Sequence, residues 1–166
     1  MLERLRANWT IPFWTIIRVW LGYEWVTAGF GKITGGFDAT GFLTGAIEKA
    51  TGDHPAVAGW YAAFLKGFAM PNVELFNVLV PYGELLVGLG LLFGTLTTIA
   101  LYAGAFMNLN FLLAGTVSTN PVLYTMAILL LVAGPAAYAW GVDRYMAPRL
   151  KHYLAETFNR GERLNH

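Results

Sequence analysis

The chain has 166 residues, 56% of them hydrophobic and 15% aromatic, and only 13% charged, about half the charged share of an average soluble domain. A net charge of +1 leaves no basic face for nucleic-acid phosphates, and the lack of any cysteine excludes thiol catalysis, disulfide relay and iron–sulfur ligation by this chain. The apolar residues gather in runs of about 20, the length a helix needs to cross ~30 Å of hydrocarbon, so residues 1–166 read as a single integral membrane domain.

In chain order, the first span is expected over 12–33, opened by Pro12 and stopped by Gly35-Gly36. No small-residue cleavage site follows this run, which reads as a retained span rather than a signal peptide. The second span is expected over 73–93, after Pro71 and before Gly94. The third is expected over 96–115, and the fourth over 121–142 with a kink or stop at Gly134-Pro135. Short connections make spans two to four antiparallel neighbours, which predicts an all-α membrane protein, a four-transmembrane-helix up-down bundle. The long connection over 34–72 carries Phe42, Leu43, Ala46 and Ile47, then Trp60, Tyr61, Phe64 and Leu65, at helical spacing. It reads as a short amphipathic helical cap, serving either as an anchor in the interface plane or as a lid over a ligand site.

Lysine and arginine placement sets the expected orientation. Arg4, Arg6, Arg144, Arg149, Lys151, Arg160 and Arg163 lie at the two ends, against Lys32, Lys49 and Lys66 around the first connection. The expectation is a multi-pass protein of the cell membrane with both termini cytoplasmic and the cap outside. The tail, 143–166, is expected to include a cytoplasmic surface helix from Lys151 onward.

Ionisable residues within membrane spans are costly, about 2.5 kcal/mol or more each, and mark candidate sites. Arg18 and Glu24 lie in the first span and Glu84 in the second. With each span centred on its own midpoint, these residues and Asn108 and Asn110 of the third span fall within roughly 6 Å of one plane. At ~100° per residue, Arg18, Gly22, Trp25, Gly29 and Lys32 share one face of the first span. Asn77, Glu84 and Gly88 share a face of the second, and Gly104, Asn108 and Gly115 one of the third. Arg18 and Glu84 are therefore expected to pair, either as a buried ion pair that fixes helix register or as part of a ligand or proton site. Glu24 points elsewhere, toward the fourth span or a partner. Lys32 reads as a snorkelling interfacial anchor. Gly22 and Gly29 are expected to let a neighbouring helix or a flat ligand approach the backbone, and Gly22 and Gly88 to leave room for such a ligand if one binds. His54, His152 and His166 all fall outside the spans, so no axial pair for a haem is available, and no metal site is expected. Gly88-Leu-Gly90 with Gly94 lacks the preceding strand of a dinucleotide fingerprint.

Several stretches together resemble the DoxX family of membrane proteins. They are Arg18-x3-Gly22, Ala28-Gly29-x2-Lys32, the run from Gly83-Glu84-Leu85-Leu86 to Phe93-Gly94, and Gly141-Val142-Asp143-Arg144. The resemblance implies a four-span bundle associated with quinone-linked redox chemistry, one branch being the membrane subunit of thiosulfate:quinone oxidoreductase. On that footing Glu84 would deliver a proton, Arg18 or Asn108 would hydrogen-bond a quinone carbonyl, and Trp25 would stack on the ring. Asn110, Glu24, Gly22 and Gly88 would complete the binding layer. With no cysteine, haem or metal in the chain, a partner redox subunit or the quinone itself must carry the electrons. A homo-oligomer, and a non-enzymatic scaffold or lipid-binding role supporting another complex, are the alternatives.

Overall fold

The structure, a computed structural model, describes residues 2–146 and Pro148. The expected tail helix from Lys151 onward lies outside the described residues. Among the described residues every regular element is helical. A short N-terminal helix α1 (Leu2–Leu5) and a 3₁₀ turn lead into α2 (Ile11–Gly35), and the cap comprises α3 (Ala39–Glu48) and α4 (Gly59–Phe64). Then follow α5 (Val73–Phe93), α6 (Thr97–Leu113), α7 (Asn120–Ala133) and a single turn, α8 (Pro135–Tyr138).

The sequence punctuation explains these limits. Pro12 occupies the first turn of α2, where a missing N–H costs nothing, and Gly94 ends α5 in the left-handed conformation, with φ at 65°. The fourth expected span departs from expectation. Its helix α7 has only 14 residues, roughly 21 Å, because Gly134 turns the backbone to φ 57° and ψ −125° before Pro135. The Arg6 Nε–H donates to the Val132 carbonyl across this break, at 3.2 Å. Pro81 lies inside α5 and is buried.

Packing follows from small residues. The helices α2 and α5 run antiparallel and touch along their backbones: a Cβ added to Gly88 would lie 2.5 Å from the Val26 nitrogen, and one added to Gly22 would lie 2.8 Å from that of Leu92. Gly29 sits as tightly against Pro81 and Leu85. The helices α5 and α6 are also antiparallel, with Gly90 against Ala100, Val87 against Gly104 and Gly83 against Met107. One core joins α2, α5, α6, α7 and α8 through Trp14, Leu21, Leu91, Leu101, Leu130 and Ala137. A second core lies in the cap, where Leu43, Val57, Tyr61 and Leu65 pack with Ala114 and the ends of α5 and α6. Of the described helices α5 alone is both long and apolar enough to cross a membrane by itself; α6 and α7 are shorter apolar helices.

Candidate functional site

Polar groups inside the helical core fall into two stations, and the register between α2 and α5 decides which residue joins which. At one end the Arg18 guanidinium, 1% exposed, donates to the Leu91 and Leu92 carbonyls at the end of α5 and to the Trp140 carbonyl at 2.9 Å. Those α5 carbonyls have no partner in the next turn of helix, so the arginine caps them and places its charge at the negative end of the helix dipole. Asp143 stands nearby and caps the neighbouring helix: its two carboxylate oxygens accept from the N–H groups of Leu96 and Thr97, each at 2.7 Å. Leu96 holds a left-handed φ of 50°, a conformation that costs roughly 1–3 kcal/mol for a residue with a side chain and that these bonds stabilise. Gly94 and Gly141 close the clasp by touching backbone to backbone, and Val142 and Asp143 donate to the Phe93 and Gly94 carbonyls.

The expected Arg18–Glu84 pair is therefore absent. Arg18 reaches α5 at Leu91, seven residues beyond Glu84, or roughly 10 Å along the helix. Glu84 pairs instead with Lys32, its Oε2 lying 2.6 Å from Nζ. The carboxylate side chain is 2% exposed and the lysine 30%. Lys32, expected to be an interfacial anchor, is thus the counter-ion of the buried carboxylate, and its Nζ also lies 5.9 Å from the centre of the Phe37 ring.

Around this ion pair the second station takes shape. Gly29 places Glu84 against α2, and Gly83 against Met107 brings the next residue of α6, Asn108, to the level of Glu84. Trp25, one turn before Gly29, lays its ring edge 3.4 Å from where a Cβ on Gly104 would stand, one turn from Asn108. Asn108 is 0% exposed, yet neither its amide nitrogen nor its amide oxygen has a hydrogen-bond partner, and the buried Trp25 indole N–H has none either. Buried polar atoms are satisfied in the large majority of cases, so three orphans within about one helical turn single this station out. The other orphans are Arg18 Nε and the hydroxyls of Thr15 and Thr97. A helical threonine hydroxyl can turn onto the carbonyl one turn back; the amides of Asn72, Asn110 and Asn120 likewise donate to the carbonyl four residues back, a bond that Asn108 does not make.

The remaining expected site residues lie apart. Asn110 ties down the cap: the Tyr61 hydroxyl donates to its backbone oxygen at 3.1 Å and its Oδ1 at 3.0 Å, while its own Nδ2 donates to the Phe106 carbonyl. Glu24 is partly buried, and no ion pair involves it among the described residues. The room expected at Gly22 and Gly88 is filled by the facing helix. Asn77, which shares the Glu84 face, accepts from the Ala39 N–H at 2.7 Å and so fixes the start of α3. No group of histidine, aspartate and glutamate suited to a metal ion occurs among the described residues.

The sequence alone carries signals for Lys32 and Asn108, which sit on the faces shared with Trp25 and Gly104. Asp143 stands out in sequence only as part of the Gly141–Arg144 stretch, and its role depends on a contact 46 residues away in the chain. A search of curated proteins and one of solved structures returned no match. The DoxX family model matches residues 13–117, which takes in α2, the cap, α5 and α6, and with them both the Lys32–Glu84 pair and the Trp25–Asn108 orphans. The chain belongs to the DoxX family.

Proposed function

We propose that this DoxX protein is a multi-pass membrane subunit of a quinone-linked redox system, holding a quinone or similar lipid headgroup at the level of Glu84. The observation that carries the reading is the trio of unpartnered atoms on Trp25 and Asn108, which the helix register sets at about the level of the Lys32–Glu84 pair. The donor set fits such a group. A quinone, when bound, supplies two carbonyl acceptors and takes up two electrons and two protons. Trp25 Nε1–H and the Asn108 amide N–H can donate to a carbonyl, and Asn108 Oδ1 can accept from a hydroxyl. Glu84 can hold a proton at the same level, with Lys32 stabilising its charged form and standing on the accessible side. The Gly22–Gly88 seam is closed by backbone contact, so a headgroup has its approach past Lys32. A partner redox subunit or the quinone itself carries the electrons, since this chain supplies no thiol to do so.

The membrane part of the proposal has separate support. Outward positions on four helices are large and apolar, among them Ile16 and Phe30 on α2, Leu86 on α5, Phe106 on α6 and Val122 on α7. Such a surface suits lipid on every side of the bundle. The lysine and arginine distribution supports cytoplasmic termini. Cysteine introduced at Asp53 in this cysteine-free chain should then react with an impermeant reagent in intact cells, and labelling only after lysis would reverse the orientation.

The decisive measurement is mass spectrometry of lipid extracted from the purified protein. Stoichiometric quinone, retained by the parent chain and lost on Asn108→Leu and on Trp25→Phe while the melting transition persists, supports the reading. A second reading, a non-enzymatic scaffold, is favoured by how tightly the α2–α5 seam is closed. In that case two or three buried waters would satisfy the orphans, quinone would be absent, and a partner complex would co-purify.

A further inference from the structure

The two helices of the cap present opposite chemistry to their surroundings. The exposed positions of α3 are Thr40, Gly41, Thr44 and Glu48, the outer face of an ordinary water-facing helix. The exposed positions of α4 and the π-helical stretch that continues it (Leu65–Ala69) include Trp60, Phe64 and Phe68, 66%, 40% and 49% exposed. The opposite side of this segment is also apolar, with Tyr61, Ala62, Leu65 and Ala69 buried in the cap core. The rings are not scattered. Phe64 stacks on Phe68 with centroids 5.4 Å apart, and Phe68 meets Phe76 of α5 edge-on at 6.3 Å, joining the stripe to the apolar outer surface of that helix. Lys66 is the one charged side chain on the segment.

We infer that α4 and its π-helical extension are seated in the outer bilayer interface, with lipid as the occupant of the Trp60–Phe64–Phe68 face, while α3 stands in water. The inference rests on the proposed membrane orientation of the bundle. Three physical features select lipid. The stripe is continuous, through Phe76, with the apolar surface of α5. Trp60 and Lys66 are residue types that favour the headgroup level, where an amphipathic ring or a long-stemmed cation can straddle the boundary. The polar outer face of α3 limits the apolar stripe to one side of the cap, as expected for a segment lying along an interface. Of the two roles open to the cap from sequence, this assigns interfacial anchoring to its second helix.

Because the chain has no cysteine, single-cysteine variants report one site each. Trp60→Cys, Ala63→Cys and Phe64→Cys, each labelled with an environment-sensitive fluorophore in nanodiscs, are compared with Thr44→Cys on α3 and Leu86→Cys on the outer face of α5. Ala63 is exposed and makes no ring contact, so its variant serves if loss of an aromatic ring disturbs the cap. Lipid-borne quencher placed at the headgroup level should quench the three α4 labels and spare Thr44→Cys, whereas aqueous iodide should show the reverse order. Iodide quenching of the α4 labels as strong as that of Thr44→Cys would overturn the inference. Shielding of the α4 labels from both quenchers would also overturn it, pointing to a protein partner or a second copy on this face. Leu86→Cys separates the two failures: if it is quenched by acyl-chain quencher while the α4 labels are not, the membrane bundle stands and the seated cap falls. If Leu86→Cys is itself quenched by iodide, the membrane reading fails.

Discussion

Replacing Arg18 by methionine tests the register on which the site depends. The guanidinium donates to carbonyls of Leu91, Leu92 and Trp140, and its charge faces Asp143. Methionine retains much of the side-chain volume but leaves these carbonyls without donors in a site that water scarcely reaches. Hydrogen bonds to a charged group contribute about 1.5–3 kcal/mol each. Loss of one partner of a buried charged contact typically costs about 3–5 kcal/mol. The lower end is expected here, because Asp143 keeps its own bonds to Leu96 and Thr97. The assay is a double-mutant cycle on thermal unfolding in nanodiscs. Arg18→Met and Asp143→Asn should be coupled by about 1 kcal/mol or more, whereas Arg18→Met and Glu84→Gln should add to within roughly 0.5 kcal/mol. Strong coupling of Arg18 to Glu84, or additivity with Asp143, would refute the observed register and restore the pairing that the sequence alone suggests.

Three further outcomes follow from the same geometry. Lys32→Met should destabilise the protein by about 3 kcal/mol by stranding Glu84, and adding Glu84→Gln should recover part of that loss; a double variant less stable than Lys32→Met would contradict a direct pair. Gly88→Leu, measured by circular dichroism and melting, should disrupt α2–α5 packing, since even a Cβ meets backbone at 2.5 Å; a fully native melting curve would show that the seam can open. Asp38 caps α3 by accepting from the Thr40 N–H and hydroxyl, which hold its carboxyl below the usual range. Its contribution is thus present above about pH 4, the ordinary carboxylate value, and is lost as pH falls through the lowered folded value. Protection of the α3 amides, taken relative to their intrinsic exchange rates at each pH, should accordingly fall in acid in the parent chain but vary less with pH in Asp38→Asn.

The limits of the helices were legible in the sequence because proline and glycine act locally. Pro71 and Gly94 bracket α5, which occupies the expected 73–93. What could not be read was the stagger between helices. Centring each span on its own midpoint sets Gly22 opposite Gly83, but the structure sets Gly22 opposite Gly88 and Leu92. That shift of at least five residues, roughly 7.5 Å, is what carries Arg18 past Glu84 and brings Lys32 to it. Stagger is chosen by which backbones can touch, and glycines at 22, 29 and 88 leave several registers open until the whole seam is considered at once. The burial of Trp25 and Asn108 could be anticipated because face and depth on a single helix depend on periodicity alone. The capping role of Asp143 could not, because its partners, Leu96 and Thr97, belong to another helix.

Two arginines, Arg6 beside the Gly134 break and Arg18 beside Gly94, have a shared physical logic. The helix α7 stops after 14 residues and α5 ends at Phe93, so the last carbonyls of both helices have no partner in a following turn and need donors from elsewhere. Arg6 serves the end of α7 through Val132, and Arg18 serves the end of α5 through Leu91 and Leu92. Arginine suits this because its planar guanidinium can donate to several carbonyls at once and keeps its charge when buried. With Arg18 so engaged, the chemistry open to the core narrows to Glu84, Lys32, Trp25 and Asn108. Among these the ion pair is mutually satisfied, and the indole and amide are not. That difference is why the proposed quinone site is centred on Trp25 and Asn108 rather than on the arginine-capped helix ends.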